Sequence, residues 1–152
     1  MEQTDQAMRL IERKSVLIDQ LYLFAERQLE MINDMDMTSL LSLLSRKQHA
    51  IVEIEALDEK LKPFHAEAPE NRVWSCWEVK EKCEATIDDC KSKIKQIMEL
   101  ERLAEQNLIE KKNFVQKQLK QVDQGASIHR AYRKTTSHAV VAAASGFDLS
   151  SG

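Results

Sequence analysis

The chain has 152 residues, 31% of them charged and 5% aromatic, with only three glycines and two prolines. This scarcity of turn formers, beside an abundance of Glu, Lys, Gln and Leu, favours long helices and argues against a sheet. The net charge is −3. Because the acidic excess lies in residues 1–70, the body lacks the basic face that binding to a phosphate backbone requires.

The sequence predicts neither a transmembrane helix nor a signal peptide. No apolar run approaches the roughly 18–20 residues that a membrane-spanning helix needs. The opening MEQTDQAMRL is polar and lacks the hydrophobic region of a secretory signal. We therefore expect no membrane insertion, a cytoplasmic location and cysteines that remain reduced thiols.

The first predicted helix covers residues 4–35. Apolar residues recur every seven positions along two adjacent lines of this segment. Two adjacent lines make a wide apolar face, which suits a helical bundle better than a two-stranded coiled coil. The lines are Leu10, Leu17, Phe24 and Met31, with Ile11, Ile18, Ala25 and Ile32 beside them.

The segment NDMDMTS interrupts this pattern and predicts a turn. Thr38 is the predicted N-cap of the second helix, with Asp36 as the alternative. The second helix is predicted over residues 39–61, antiparallel to the first because the connection is short. Pro63 is expected to end it, since proline cannot continue a helix. Lys47 falls within its apolar stripe, which is therefore less uniform than that of the first helix.

The third predicted helix covers residues 71–124, because no proline or glycine interrupts it before Gly125. Such a helix is about 75 Å long, whereas the first is about 48 Å long. The third helix must therefore overhang the first two or fold back on itself. Residues 106–113, which include two asparagines, are the predicted place for a break.

A thinner apolar stripe follows one face of the third helix past Met98. An overhanging helix cannot bury this stripe by itself, so the same chain, a second copy or a client helix must cover it. The stripe comprises Ala104, Leu108, Val115, Leu119 and Val122.

The three cysteines, Cys76, Cys83 and Cys90, stand seven residues apart. Zinc sites use spacings of two to four residues within a pair. A spacing of seven instead returns to the same helical face, so the cysteines are predicted to be buried thiols of a helical seam. The four histidines lack metal-site spacing, and we find neither a glycine-rich phosphate loop nor a nucleophile turn. We therefore expect no enzymatic activity, metal or cofactor.

Trp74 and Trp77 stand three residues apart near the start of the third helix, a spacing that presents one large apolar face. They can close one end of the bundle core against Leu57, Leu61 and Phe64. They can also form an exposed anchor for a partner, because tryptophan is enriched in interface hot spots.

Residues 126–152 form a tail that is first basic and then small and apolar. We expect a mobile tail with a short helix over about residues 137–145, which alone is marginal in water. Such a segment folds when it contacts either the stripe of the third helix or a partner. Its predicted contact face comprises Val140, Val141, Ala144, Phe147 and Leu149.

These features together resemble the flagellar export chaperones of the FlgN type. The likeness rests on a long amphipathic helix, an Asp-rich turn and the second helix SLLSLLSRKQHAIVEIEALDEKLKPF. A third long helix then leads to a polar tail with Tyr132 and the closing FDLSSG. The helical pattern covers residues 4–125. In the closing motif Leu149 and Ser150 stand where the family often has a basic residue after the Asp.

The resemblance implies a cytoplasmic chaperone that holds hook-associated proteins of the hook–filament junction before type III export. It implies that the chaperone binds a C-terminal helical segment of its client, partly through its own C-terminal part. It also implies that Tyr132, the matching position, helps dock the loaded complex on the flagellar export gate, and it implies no cofactor. The predicted partner-binding residues are Leu108, Val115, Leu119, Val122, Tyr132, Val140, Val141, Ala144, Phe147 and Leu149.

The expected fold is all-α: an elongated antiparallel three-helix bundle or coiled coil with a short C-terminal helical tail. A homodimeric structural or regulatory coiled-coil adaptor is the alternative function, in which the stripe of the third helix pairs with itself. Nucleic-acid binding through the basic run from Lys111 to Lys134 is less favoured, since few aromatic residues are interleaved there.

Overall fold

The computed structural model describes residues 2–122, which form three long α-helices and no strand. This confirms the predicted all-α bundle. The helices are α1 (Glu2–Asn33), α2 (Met37–Ala66) and α3 (Trp77–Val122), with a short 3₁₀ helix (Pro69–Asn71) between α2 and α3.

The first and third helices run parallel to each other, with α2 antiparallel to both. The Thr4 hydroxyl, near the start of α1, donates a hydrogen bond of 2.7 Å to the carbonyl of Val73, just before α3. At the other end of α1, the Asn107 amide donates to the Asn33 side chain at 3.4 Å. The sequence separation is 69 positions in the first contact and 74 in the second. The helices α1 and α3 therefore keep one register along the whole length of α1.

The first helix is the central element of the bundle. It packs against both α2 and α3, whereas no Cα of α2 comes within 8 Å of a Cα of α3. The wide apolar face predicted for α1 explains this arrangement, because its two adjacent lines serve two neighbours. Leu17, Ile18 and Leu21 of α1 lie at the middle of the core and are almost completely buried.

A tight turn of three residues joins α1 to α2. Asp36 is the N-cap, and its carboxylate accepts a hydrogen bond of 3.1 Å from the backbone N–H of Ser39. The prediction of Thr38 as N-cap is therefore wrong, and the alternative, Asp36, is confirmed. Met35 has a φ of 58°, a left-handed conformation that is uncommon for a residue with a Cβ and that reverses the chain here.

The second helix continues through Pro63 to Ala66, so the expectation that Pro63 ends it is wrong. Pro63 lies in the last turn, where its missing N–H costs one hydrogen bond only. The extension places Phe64 in the core. The Arg72 guanidinium then donates to the carbonyls of Phe64 and Glu67, at 3.0 and 3.2 Å, which satisfies acceptors at the end of the helix.

The third helix begins at Trp77, six residues later than predicted, and is continuous through residues 106–113. The Asn107 amide bonds to Asn33 of α1 and does not compete with its own backbone. The 46 residues of α3 correspond to about 69 Å and the 32 of α1 to about 48 Å. About 22 Å of α3 thus extends past the end of α1 as an overhang, residues 108–122.

Candidate partner-binding site

A buried polar cluster links all three helices in the half of the bundle that contains the α1–α2 turn. Lys47 of α2 forms an ion pair with Glu101 of α3, and Gln28 of α1 contacts both. The Gln28 amide N–H donates to Glu101 at 3.2 Å, and its oxygen accepts from Lys47 at 3.5 Å. Burial lowers the pKa of Lys47, and the Glu101 carboxylate opposes that shift. A buried charge without its partner is costly, so the cluster favours the one register in which the three side chains meet.

Below this cluster, toward the C-terminal end of α2, the side chains of α2 and α3 separate and leave an open groove. The groove encloses about 330 Å³, with α1 as its floor and α2 and α3 as its walls. Its exposed apolar surface comes mainly from Ile87, Ile94 and Met98 of α3, since the apolar lining residues of α1 and α2 are almost completely buried. The lining residues are Ile11 and Lys14 of α1, Leu61 and His65 of α2, and Ile87, Cys90, Lys91, Ile94, Lys95 and Met98 of α3.

The charges that line the groove are all basic. Lys14 pairs with Asp58 of α2 at 2.6 Å, so its charge is already compensated. Lys91 and Lys95 are exposed on the α3 wall and form no ion pair within residues 2–122. Burial, followed by the nearby Lys14 ammonium, lowers the pKa of His65, so this imidazole is neutral at pH 7. The groove therefore combines an apolar wall with two uncompensated ammonium groups.

The cysteines have two different environments. Cys83 and Cys90 are buried core residues, as predicted, and burial raises the pKa of both thiols. Cys76 is exposed, so its predicted place in the seam is wrong. The reason is that α3 begins one residue later, and the seven-residue line does not extend into the irregular segment before it. Within residues 2–122 no three His, Cys, Asp or Glu side chains converge as a metal site would require.

The two tryptophans also have different environments. Trp74 packs in the core cluster at the end of the bundle and meets the Phe64 ring edge-to-face at 6.1 Å. Trp77 is 64% exposed, and the Lys80 ammonium lies 5.2 Å from its ring centroid. Because Trp74 precedes the helix, the pair does not form one helical face. Trp74 fits the prediction of a core cap, and Trp77 is exposed, while its contact with a partner stays a prediction.

The overhang of α3 carries part of the predicted partner-binding stripe. Leu108 is buried in the bundle with Ile32 and Leu40, so this side chain is already covered within the chain. Val115 and Leu119 are half-buried beyond the end of α1. Two further apolar side chains flank the stripe and are exposed: Ile109 (43%) and Phe114 (61%).

The remaining predicted partner-binding residues are not placed. Val122 ends α3, and its side chain lies outside the described part of the structure. The tail positions also lie outside the described residues: Tyr132, Val140, Val141, Ala144, Phe147 and Leu149. The predicted tail helix over about residues 137–145 lies there too.

Neither the cluster nor the groove was predicted from the sequence, although two signals were present. Lys47 and Glu101 are oppositely charged residues that interrupt apolar stripes. Lys91 and Lys95 stand four residues apart beside Ile94 and therefore lie along one edge of α3. The groove itself depends on the spacing between α2 and α3, which no local pattern encodes.

Among residues 2–122, no helix has the length and apolar character needed to cross a membrane. Comparison of the chain with known protein families, with curated proteins and with solved structures finds no match.

Proposed function

We propose that this protein is a helix-binding chaperone of the FlgN type, which holds hook-associated proteins in the cytoplasm before their type III export. The observation that carries the binding role is the apolar groove of about 330 Å³ between α2 and α3. The resemblance of the sequence to flagellar export chaperones supplies the class of client.

The shape of the groove suits a helical segment. Apolar grooves between helices are a recurrent binding site for an amphipathic helix, which lays its apolar face between the two walls. A client helix with an exposed apolar stripe would otherwise associate with other chains, and burial of that stripe in the groove prevents this. No cofactor or bond chemistry is needed for such a role.

The tail and the overhang extend the proposed contact. In this proposal Val115, Leu119 and Phe114 of the overhang form a second contact region for the client. We propose that Val140 and Phe147 of the tail, which lie outside the described residues, contact the same client segment. Tyr132 contacts the export gate once the client is loaded.

Binding to hook-associated proteins of the source cell tests this function. We expect the full chain to form a one-to-one complex with their C-terminal segments, measured by calorimetry and light scattering. Deletion of residues 126–152 should weaken that complex at least tenfold. Unchanged affinity after the deletion, or no complex with any hook-associated segment, would contradict the proposed function.

The overhang also supports the alternative of a homodimeric coiled-coil adaptor. Phe114 is exposed, and the stripe that contains Val115 and Leu119 extends beyond the end of α1. Two antiparallel overhangs can bury these residues against each other. Sedimentation distinguishes the two functions, because the adaptor requires a dimer at micromolar concentration and the chaperone does not.

A further inference from the structure

We propose that the groove between α2 and α3 selects amphipathic helices whose apolar stripe is flanked by Asp or Glu side chains. This inference rests on the proposed function, because it specifies the chemistry of the helical segment that the groove binds. Three observations carry it: the arrangement of the helices, the apolar surface of the α3 wall, and the charges along the walls.

The arrangement of the helices leaves room for one more. In a four-helix bundle each helix packs on two neighbours and lies diagonally across from the third. Here α1 packs on α2 and α3, whereas the backbones of α2 and α3 remain more than 8 Å apart, as a diagonal pair does. The groove lies on the side of α1 where α2 and α3 face each other, a position that no helix of residues 2–122 occupies.

The apolar surface of the α3 wall has the length of a short helical segment. It extends from Ile87 through Ile94 to Met98, about 16 Å, which equals three turns of a helix. Ile11 and Leu61, which are almost completely buried, lie at the base of the groove. Met98 is 44% exposed at one end, where its unbranched side chain can adapt to different partners.

The charges along the walls determine whether the groove favours acidic or basic residues beside the apolar stripe of the bound helix. No carboxylate lines the groove among the described residues. Asp58, the acidic residue beside it, is paired with Lys14. Lys91 and Lys95 therefore face an incoming helix with their charges uncompensated, and such flanking charges determine partner choice between helices. Asp or Glu side chains that flank the apolar stripe form ion pairs with these lysines, whereas flanking Lys or Arg side chains are repelled.

Three synthetic helices with one common apolar stripe test this inference. Their flanking positions carry only Glu, only Gln or only Lys, and binding to the full chain is measured by fluorescence anisotropy. We expect the Glu peptide to bind about tenfold more tightly than the Lys peptide at low salt, with the Gln peptide between them. The difference should shrink as salt screens the rim charges.

Charge reversal on the α3 wall tests whether Lys91 and Lys95 cause the preference for acidic peptides. The double variant Lys91→Glu/Lys95→Glu should invert the order of the three peptides. The matched control is Arg27→Glu/Arg46→Glu, which changes the net charge equally at exposed sites outside the groove. This control should keep the original order, and circular dichroism should show that both variants remain helical.

Several outcomes would overturn the inference. Equal affinity for the three peptides, or an order that the groove variant leaves unchanged, excludes selection by Lys91 and Lys95. Binding of dodecanoate to the groove without binding of any peptide assigns the site to an anionic amphiphile. The proposed function fails separately: the Glu peptide can bind when no hook-associated segment does, and such segments can bind regardless of the rim charge.

Discussion

Lys47 and Glu101, which are 54 positions apart in the sequence, form an ion pair inside the bundle and connect α2 to α3 above the open groove. Lys47 is 3% exposed, and its ammonium contacts the Glu101 carboxylate and the side-chain oxygen of Gln28. On α3 the pair lies about one turn beyond Met98, which lines one end of the groove.

Removal of one partner from this pair should destabilise the protein strongly. We expect Glu101→Ala to lower the free energy of unfolding by about 3 kcal/mol, because it removes the carboxylate that pairs with the buried Lys47 ammonium. The double variant Lys47→Met/Glu101→Leu should recover most of that loss, since it removes both charges. Urea unfolding measures both. The exposed pair of Glu99 and Arg102 is the control, and Glu99→Ala should leave stability unchanged within error.

The buried thiols should make stability fall at alkaline pH. Burial raises the pKa of Cys83 and Cys90 above the ordinary value of 9.0. Above about pH 9 the unfolded chain releases these protons while the folded chain retains them, so stability declines as pH rises. Lys47 has the opposite effect on stability. Its pKa is lowered in the folded chain, so in the unfolded chain it remains protonated to a higher pH, and stability rises with pH in that range.

The variant Cys83→Ala/Cys90→Ala tests this pH dependence. Its unfolding midpoint in urea should fall less steeply between pH 8 and about pH 10 than that of the parent, although its stability at pH 7 is lower. Cys76→Ala, at an exposed position, should keep the steep decline. An equally steep decline in the double variant would show that the two thiols are not responsible.

Thiol labelling should distinguish Cys76 from the other two cysteines. Cys76 is exposed, and Cys83 and Cys90 are buried with raised pKa values. Since the reactive species is an accessible thiolate, we expect Cys76 to react with iodoacetamide at least ten times faster. Mass spectrometry of the peptides gives the three rates. Equal rates in the native protein would contradict the core position of Cys83 and Cys90.

The two tryptophans should differ in stability effect and in fluorescence. Trp74→Ala should cost about 2 kcal/mol, because it removes the contact with Phe64 at the end of the core. Trp77→Ala should change stability little. The indole N–H of Trp74 makes no hydrogen bond within residues 2–122, so Trp74→Phe should retain most of the stability and leave Trp77 as the fluorophore.

Acrylamide quenching completes this test. The Trp74→Phe variant should show strong quenching and red-shifted emission, because Trp77 is exposed to water. The variant Trp77→Phe should show weaker quenching, since it reports on the half-buried Trp74. The reverse order would contradict the placement of the two side chains.

The three helices could be predicted from the sequence because the apolar residues of α1 repeat along two adjacent lines. That wide face also explains why α1 is central. The extension of α2 through Pro63 could not be predicted from the local preference of proline, because Phe64 packing and the Arg72 contacts outweigh it. The start of α3 was misplaced for a similar reason: Trp74 packs in the core from an irregular segment.

The candidate site was predicted only in part. The overhang follows from the length of α3 and the lack of a helix breaker before Gly125. The groove was missed because it is set by the distance between α2 and α3. That distance results from how α2 and α3 each pack on α1, and no repeat of apolar residues in either sequence segment predicts it.

Site-specific photocrosslinking tests most directly whether the groove receives a client helix. Met98, in the groove, and Val52, exposed on α2 and outside it, are replaced one at a time by benzoylphenylalanine in the full chain. Each variant is irradiated with the C-terminal segment of a hook-associated protein. We predict a crosslink from position 98 and none above background from position 52. Equal crosslinking from both positions, or a crosslink from position 52 alone, would contradict a client site in the groove.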